Sequence, residues 1–274
     1  MKLLTDMHTH STYSFDGRSE LKDMLEEAQK KSIAFYGVSD HFNYDYILSN
    51  FCEEEAEKIK HENPENYFHG ARHAQEDYAG VMNVIVGAEF GYTDDKAAQE
   101  KYQAVIEKYS PDFVINSVHG ESGKDYARYE FTGDKPTVYK EYLALIRRSL
   151  EAPYPYDIVG HIGYVARYVP FENKEFSLLE FGKEIDDILT AIIQKDKILE
   201  VNSSNKKLAQ RTLPAENILR RYYELGGRKI SFGSDAHDIF RIADKRDEVV
   251  ELLKKIGFTY ITVPCRGEHI KVEI

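Results

Sequence analysis

Two histidines that could bind a metal ion lie near the start of the chain, at the end of the apolar run "KLLTDMHTH". In a β-strand alternate side chains share one face, so His8 and His10 would project together, with Asp6 before them on the same side. Two imidazoles at this spacing can bind one transition-metal ion, and Asp16 follows within the same short segment. Ordinary strands also carry single histidines, so this pair alone leaves a structural or surface role open.

Six more apolar runs also end in side chains that could bind a metal ion or a substrate. A single buried histidine more often bonds a backbone carbonyl than a metal, but six of the ten histidines lie at such run ends. We therefore interpret the run ends as one site assembled from distant parts of the sequence. The groups at the run ends are His8 and His10, Asp40 and His41, Glu89, His119, His161, Asn202, and Asp235 and His237.

The runs alternate with segments of helical periodicity, a pattern typical of parallel strands joined by helices. One such segment, "SELKDMLEEAQKK", places its apolar residues on one stripe and opens with Ser19, a residue type that often caps helices. Seven units without a Pro/Gly/Ser-rich linker predict one α/β barrel domain over residues 1–274, with its active site at the C-terminal ends of the strands. Residues 44–80 are predicted to be a helical insertion and residues 258–274 additional β structure. The predicted strands are KLLTDMH, SIAFYGVSD, VMNVIVGAE, DFVINSVH, DIVGHIGY, KILEVNSS and KISFGSD.

Composition and charge restrict the classes of function that the chain can serve. Hydrophobic residues make up 42% and charged residues 30% of the sequence, as in ordinary globular proteins. No apolar run has the length of a membrane span and no signal sequence is recognisable, so we expect a cytoplasmic protein that does not bind membranes. Cys52 and Cys265 indicate neither a disulfide framework nor a thiolate zinc site. The net charge of −11 argues against nucleic acid as a partner and favours a small-molecule substrate.

Seven short motifs, taken in order, resemble the polymerase and histidinol phosphatase (PHP) superfamily, and in particular its histidinol-phosphate phosphatase branch. The resemblance spans residues 6–237 and includes the continuation "HSTYSFDG" after the first histidines. It implies a distorted seven-stranded (β/α)7 barrel, similar to a TIM barrel, that holds two to three divalent transition-metal ions, with zinc, iron and manganese as candidates. The motifs are DMHTHSTYSFDG, SDH, GAE, SVHG, VGHIGYVARY, LEVNSSN and FGSDAH.

The resemblance also implies a set of metal ligands in three groups, of which the first two share Glu89. Mixed imidazole and carboxylate ligands suit transition metals better than Ca²⁺ or Mg²⁺. Asp6 and Asp40 lie next to predicted ligands and are expected to orient imidazoles, although either could instead handle protons. The first group is His8, His10, Glu89 and Asp235; the second adds His119 and His161 to Glu89; the third is Asp16, His41 and His237.

The activity implied by the resemblance is metal-dependent hydrolysis of a phosphomonoester, L-histidinol phosphate, to L-histidinol and phosphate in histidine biosynthesis. Two cations lower the pKa of a shared water, so that hydroxide can attack phosphorus without a protein nucleophile. The leaving alkoxide must gain a proton. Asp16, Asp40 or a water molecule on the metal are the candidates for its source.

Basic residues near the strand ends are candidates to neutralise the charge of the phosphate. Arg167 is the first of these, because it follows the fifth predicted strand, and Lys207 and Arg211 follow the sixth. Ser117 and Glu121 flank a predicted metal ligand and are further candidates for substrate contacts. An acidic rim would favour the positive charges of histidinol phosphate.

Other functions remain open at this point. Another small phosphate ester would use the same metal ions, as would a phosphodiester in a nuclease, although a nuclease should have a basic groove. A metal-binding regulator that has lost activity is a third possibility. Such a protein would be expected to lack one or more ligands, whereas the set in this sequence is complete.

Overall fold

Seven parallel strands form the centre of the structure, a computed structural model that describes residues 4–204 and 212–274. The first and the last of these strands close the barrel: the Met7 N–H donates to the Phe232 carbonyl at 2.9 Å, and the Asp235 N–H donates to the His8 carbonyl at 2.8 Å. The predicted seven-stranded α/β barrel is therefore confirmed. The strands are β1 (Leu4–Asp6), β2 (Ile33–Val38), β3 (His41–Phe42), β4 (Asn83–Gly91), β5 (Phe113–Ser117), β6 (Gly120–Glu121), β7 (Lys124–Asp125), β8 (Ile158–Val159), β9 (Ile198–Asn202), β10 (Ile230–Gly233), β11 (Tyr260–Cys265) and β12 (Glu268–Glu273).

The barrel strands pair in the order β1, β2, β4, β5, β8, β9 and β10, and helices pack around them. Several helices begin where a side chain caps the first turn: Asp95 accepts the Ala98 N–H at 2.8 Å, and Asp134 accepts the Thr137 N–H at 3.0 Å. The α-helices are α1 (Leu21–Lys30), α2 (Glu53–Lys60), α3 (Pro64–Asp77), α4 (Lys96–Tyr109), α5 (Lys135–Ser149), α6 (Leu178–Gln194), α7 (Glu216–Glu224) and α8 (Arg246–Ile256).

Alternation along strand β4 explains how the chain directs polar groups into the barrel. Val84, Val86 and Ala88 belong to the core between strands and helices, whereas Ile85 belongs to a separate cluster inside the barrel. The same alternation turns Glu89 inward at the C-terminal end of the strand. A carboxylate so far inside a barrel requires partners of opposite charge or a metal ion.

The predicted cap at Ser19 is wrong. Helix α1 begins one residue later than expected, with Glu20 at its N-cap and no side-chain capping bond. The Ser19 hydroxyl instead accepts the Ile239 N–H at 3.3 Å, because the loop after β10 lies against this turn. The apolar stripe that predicted the helix is buried as expected, through Leu21, Met24, Leu25 and Ala28.

The segment 44–80, which the sequence predicts to be helical, contains α2 and α3. Helix α3 packs on the barrel as the other connecting helices do: Tyr67 is buried, and its hydroxyl donates to the carbonyls of Val38 at 3.1 Å and Gly87 at 2.6 Å. It is the crossover between the parallel strands β2 and β4. Helix α3 is thus the ordinary connection between two strands, and the insertion consists of the stretch before α3.

The predicted β structure at residues 258–274 is an antiparallel hairpin of β11 and β12 that covers the N-terminal end of the barrel. The Arg266 N–H donates to the carbonyl of Asp112, just before β5, at 2.7 Å. The hairpin residues Val263 and Val272 pack with Met7, Ile85, Phe113, Ile115, Ile158 and Ile198 inside the barrel.

Among the described residues, no helix combines the length and apolar character that crossing a membrane requires.

Candidate functional site

The nine predicted metal ligands lie together at the C-terminal mouth of the barrel. Asp16 and His237 lie nearest the opening, with 35% and 24% of their side chains exposed, while the others are buried or nearly so. His8, His10 and Asp16 follow β1, His41 lies in β3, Glu89 in β4, His119 follows β5, His161 follows β8, and Asp235 and His237 follow β10.

One oxygen of Glu89 faces three of the imidazoles. Its Oε2 atom lies 2.8 Å from His41 Nδ1, 3.1 Å from His8 Nε2 and 3.4 Å from His10 Nε2. The three nitrogens are buried and make no hydrogen bond of acceptable geometry. Lone pairs directed at a common space around a carboxylate are what a metal site requires.

The other oxygen of Glu89 faces two further imidazoles. Its Oε1 atom lies 3.1 Å from His119 Nε2 and 3.0 Å from His161 Nε2, and these two nitrogens are 3.3 Å apart. The Ser117 hydroxyl donates to the same oxygen at 2.5 Å. Glu89 therefore occupies the centre of the site, in the position expected of a ligand shared between two metal ions.

Two aspartates complete the site on the side of the opening. Asp235 Oδ1 lies 3.4 Å from His10 Nε2 and 3.8 Å from His8 Nε2. Its backbone has a left-handed φ of 53°, held by the bond from its N–H to the His8 carbonyl. Asp16 Oδ2 lies 3.1 Å from His237 Nε2, and Asp16 Oδ1 lies 3.7 Å from His41 Nε2.

The donor atoms form four overlapping sets that fit more than one transition-metal ion. Within each set all donor atoms lie within 4.8 Å of one another. His41 approaches both Glu89 and His237, so it lies between the predicted second and third groups. The sets are His8, His10 and Asp235; His8, Glu89 and His161; His41, Glu89 and His119; and His10, His41 and His237.

Hydrogen bonds on the far side of the rings determine which nitrogen is available to a metal. His8 Nδ1 lies 2.5 Å from Glu200 Oε1, and His119 Nδ1 lies 3.3 Å from Asn43 Oδ1. An N–H donated to these oxygens leaves each Nε2 lone pair directed toward Glu89. The tautomer suited to metal binding is thus built into the surroundings of both rings.

Asp40 acts on the site through a serine. Its carboxylate is 1% exposed and accepts hydrogen bonds from the Ser11 N–H at 2.7 Å, the Ser11 hydroxyl at 2.9 Å and the Ser14 hydroxyl at 2.6 Å. Ser14 Oγ in turn lies 3.3 Å from His10 Nδ1 and accepts the His41 N–H at 3.0 Å. This arrangement orients His10 and favours a positioning role for Asp40 over proton transfer.

Asp6 supports the site by another route than expected. Its carboxylate accepts the Ser234 N–H at 2.9 Å and the Ala243 N–H at 2.8 Å, and no described imidazole bonds to it. Burial raises the pKa of Asp6 to about 6 despite these bonds. Asp6 thus holds the loop that carries Asp235, whereas the sequence led us to expect a bond to a histidine.

The charges of the site are strongly coupled. Burial disfavours the ionised form of Glu89, but the imidazoles of His8, His119 and His41 outweigh burial and hold its pKa well below the usual range. Burial also disfavours protonation of His237, yet the carboxylate of Asp16 raises the pKa of this imidazole to about 9. Burial acts the other way on His10 and His161, whose pKa values it lowers, so the imidazoles of the site differ in how readily they hold a proton.

The predicted substrate contacts occupy different places. Arg167 is 10% exposed, lies 3.7 Å from Asp235 Oδ2 through Nη2, and also donates to the Ser204 carbonyl. Ser117 is fully buried and bonds to Glu89, so it orients a proposed ligand and does not line the opening. Glu121 lies in β6, beside the site. Lys207 and Arg211 lie outside the described residues.

The sequence did not identify Glu200 and Asn43, which bond to the far side of two imidazoles, nor Ser11 and Ser14, which bond to Asp40. Glu200 stands between Leu199 and Val201 in a run interpreted as a plain apolar strand. A carboxylate inside such a run is the signal that would have identified it. Asn43 follows the predicted ligand His41 by two positions but has no distinguishing motif.

Comparison with known proteins agrees with this geometry. The model of the PHP domain family matches residues 6–204. The chain belongs to the PHP domain family. It is 27% identical over 263 residues to a probable histidinol-phosphatase of Thermotoga maritima, covering 95% of each chain. It is 26% identical over 257 residues to the histidinol-phosphatase of Lactococcus lactis subsp. lactis, covering 92% of this chain and 91% of the other.

A solved structure extends the agreement to the PHP fold. The crystal structure of histidinol phosphate phosphatase from Lactococcus lactis subsp. lactis, complexed with zinc, L-histidinol and phosphate, matches with a TM-score of 0.83. The match covers 99% of this chain and 100% of that chain, at 24% sequence identity. The barrel and its order of elements are thus those of a PHP enzyme.

Proposed function

We propose that this PHP protein is a histidinol-phosphatase, which hydrolyses L-histidinol phosphate to L-histidinol and phosphate as a cytoplasmic step of histidine biosynthesis. The observation that carries the proposal is the convergence of five imidazoles on the Glu89 carboxylate at the barrel mouth. The relatives that share the family and nearly the full length of the chain support the choice of substrate.

The proposed ligands form three groups, two of which lie around Glu89. We assign His8, His10 and Asp235 to one ion and His119 and His161 to a second, with Glu89 between them. Divalent transition-metal ions held there would supply an activated water and positive charge for the phosphate. A third ion would be held at the opening by Asp16, His41 and His237.

We propose that Arg167 binds the phosphate. Its guanidinium lies beside Asp235, so a phosphate oxygen near that carboxylate can accept its N–H groups. The Tyr164 ring lies 4.9 Å from the guanidinium carbon and restricts the orientation of the side chain. Because a guanidinium keeps its charge at every working pH, Arg167 stabilises the transferring group without acting as a metal ligand.

Acidic residues next to the metal centre suit the positive charges of histidinol phosphate. A cavity of about 400 Å³ is lined by Asp45, Asp94, Asp95 and Glu121. Two of these residues, Asp45 and Glu121, also line a narrower opening beside His119. An amine or imidazolium group is attracted there, whereas the phosphates of a nucleic acid would be repelled.

The test measures phosphate release from histidinol phosphate and p-nitrophenyl phosphate, and p-nitrophenol release from bis-p-nitrophenyl phosphate, with metal-loaded protein. We expect kcat/KM for histidinol phosphate to exceed that for the aryl monoester by about 10²-fold or more, because the amine and imidazole add binding energy in the transition state. Equal values for the two monoesters would reject the substrate, and faster hydrolysis of the diester would indicate a phosphodiesterase.

A further inference from the structure

A buried carboxylate on the inner face of strand β9, Glu200, lies beneath the proposed metal centre. It is 1% exposed, and among the described residues its ion-pair contact is with a histidine and not with a lysine or arginine. One oxygen, Oε1, lies 2.5 Å from His8 Nδ1 and accepts the Asn202 side-chain N–H at 3.2 Å. The other, Oε2, accepts the backbone N–H of His161 at 2.6 Å.

These bonds connect two residues that also meet on the opposite side. His8 Nε2 lies 3.1 Å from Glu89 Oε2, and His161 Nε2 lies 3.0 Å from Glu89 Oε1. Glu89 therefore joins the metal-facing atoms of the two histidines, while Glu200 joins the Nδ1 of one and the backbone of the other. The bond to Nδ1 fixes the ring orientation and the tautomer of His8 before a metal arrives, while the bond to the backbone N–H fixes where the chain of His161 lies relative to His8.

The surroundings leave Glu200 little freedom. Gly233 on β10 lies so close that an added Cβ would be 2.4 Å from Glu200 Oε1 and 2.5 Å from His8 Cβ. A side chain at position 233 would thus displace both members of the pair. The Glu200 carboxylate and the Cβ of His8 lie directly against the backbone of the next strand, which restricts how far the two side chains can move apart.

We propose that Glu200 is a positioning residue that holds His8 and His161 as one unit, so that the first two metal positions bind their ions together. This inference rests on the metal centre of the proposed function. His41 and His237, which serve the third position, make no contact with Glu200 among the described residues, so that position should be independent of it.

The experiment is a chelator titration of zinc-loaded wild type and Glu200→Gln, with zinc measured per chain after separation. The amide keeps the size of the side chain but loses its charge. We expect the variant to release two zinc ions at a free chelator concentration about 10- to 100-fold lower than the wild type requires. Loss of a residue that orients a metal ligand typically weakens metal binding by this factor. The remaining zinc should leave as it does from the wild type.

Asp112→Asn is the matched control, because Asp112 is also a buried carboxylate but pairs with Arg72 and Arg266 at the other end of the barrel. We expect it to lower the melting temperature while its zinc is released as in the wild type. If Glu200→Gln does not fold, Glu200→Asp replaces it: the charge is kept, but the shorter side chain cannot reach both partners, so early loss of two ions is again expected.

Three results would overturn the inference. The first is release of all zinc from the Glu200 variant as from the wild type, and the second is equal weakening in Asp112→Asn. The third is early loss of all three ions, which would show that Glu200 does not act on two positions selectively. Zinc release is measured without substrate. Failure of the wild type to hydrolyse histidinol phosphate would therefore count against the proposed function alone.

Discussion

Arg167 is the residue that we propose to bind the phosphate. We predict that Arg167→Ala retains the metal content of the wild type but lowers kcat/KM for histidinol phosphate by about 10²-fold or more, because a guanidinium that contacts the transferring phosphoryl group stabilises its charge. Zinc analysis and steady-state kinetics on the same preparation check the two halves of this prediction.

A control for Arg167 is available at the other end of the barrel. Arg228 is exposed and donates to the Tyr223 carbonyl at 2.8 Å, just before β10 begins. Arg228→Ala should leave kcat/KM unchanged. Wild-type kinetics in Arg167→Ala would move the phosphate site to other groups, and loss of metal in that variant would show that its effect is not on phosphate.

At the residue scale, the sequence predicted which proposed ligands lie together at the barrel mouth, but not the residues that orient them. His8, His10 and His41 occur beside acidic residues at strand ends, a local pattern that can be read directly. The partner of His8 is Glu200, separated by 192 positions, and only the closed barrel brings the two together. Ser117 shows the same limit, since its contact with Glu89 depends on the register of β4 against β5.

At the scale of elements, the strands were predictable because each is a short apolar run that the barrel buries on both faces. The ends of the helices were less predictable from the sequence. Ser19 is a good capping residue by type, but a contact with the distant Ile239 uses its hydroxyl and leaves Glu20 at the N-cap. Helix α3 was predicted within an insertion because the sequence before it has no clear strand, although its buried Tyr67 ties it to the barrel.

The hairpin of β11 and β12 should serve stability and not catalysis. We predict that Val272→Ala lowers the free energy of unfolding by about 1–3 kcal/mol, because this side chain is 2% exposed and fills the interior at the N-terminal end of the barrel. The kcat of the folded variant should match the wild type, since the metal centre lies at the other end. Chemical denaturation and the phosphate-release assay measure the two quantities.

Val81→Ala is the control for the hairpin, because Val81 has 57% of its surface exposed. Its truncation removes few contacts and should change the unfolding free energy by no more than about 0.5 kcal/mol. Equal destabilisation in both variants would mean that packing inside the barrel does not account for the effect. A lowered kcat in Val272→Ala would contradict the separation of the two ends.

On the scale of the whole molecule, the barrel separates stability from chemistry along its axis. One end is closed by apolar side chains from the hairpin, and the other collects the nine proposed metal ligands, whose burial requires partners of opposite charge or a metal ion. The alternation of inward and outward residues in strands predicted this division in outline. Which of these groups are ionised depends on the distances between them, and only the folded barrel fixes those distances.

Those charges lead to a prediction for the effect of metal on the stability of the whole molecule. Attraction to neighbouring carboxylates outweighs burial and raises the pKa of His237 to about 9, so this imidazole carries a proton in metal-free protein near neutral pH. The same attraction raises the pKa of His41. A metal ion must displace the proton of His237, and its binding therefore weakens as the pH falls. We predict that zinc at 100 to 1,000 times its dissociation constant at pH 8 stabilises the fold by about 3–4 kcal/mol, and by clearly less at pH 6 with the same free zinc. Thermal unfolding of chelator-treated protein, with and without zinc at each pH, measures the difference.

Two variants test where the zinc acts. His73→Ala should keep the zinc effect, because this imidazole is 67% exposed and pairs with Asp77 away from the site. Glu89→Gln should lose most of the zinc effect. A zinc effect that is equal or larger at pH 6, or that persists in Glu89→Gln, would place the ions somewhere other than the barrel mouth.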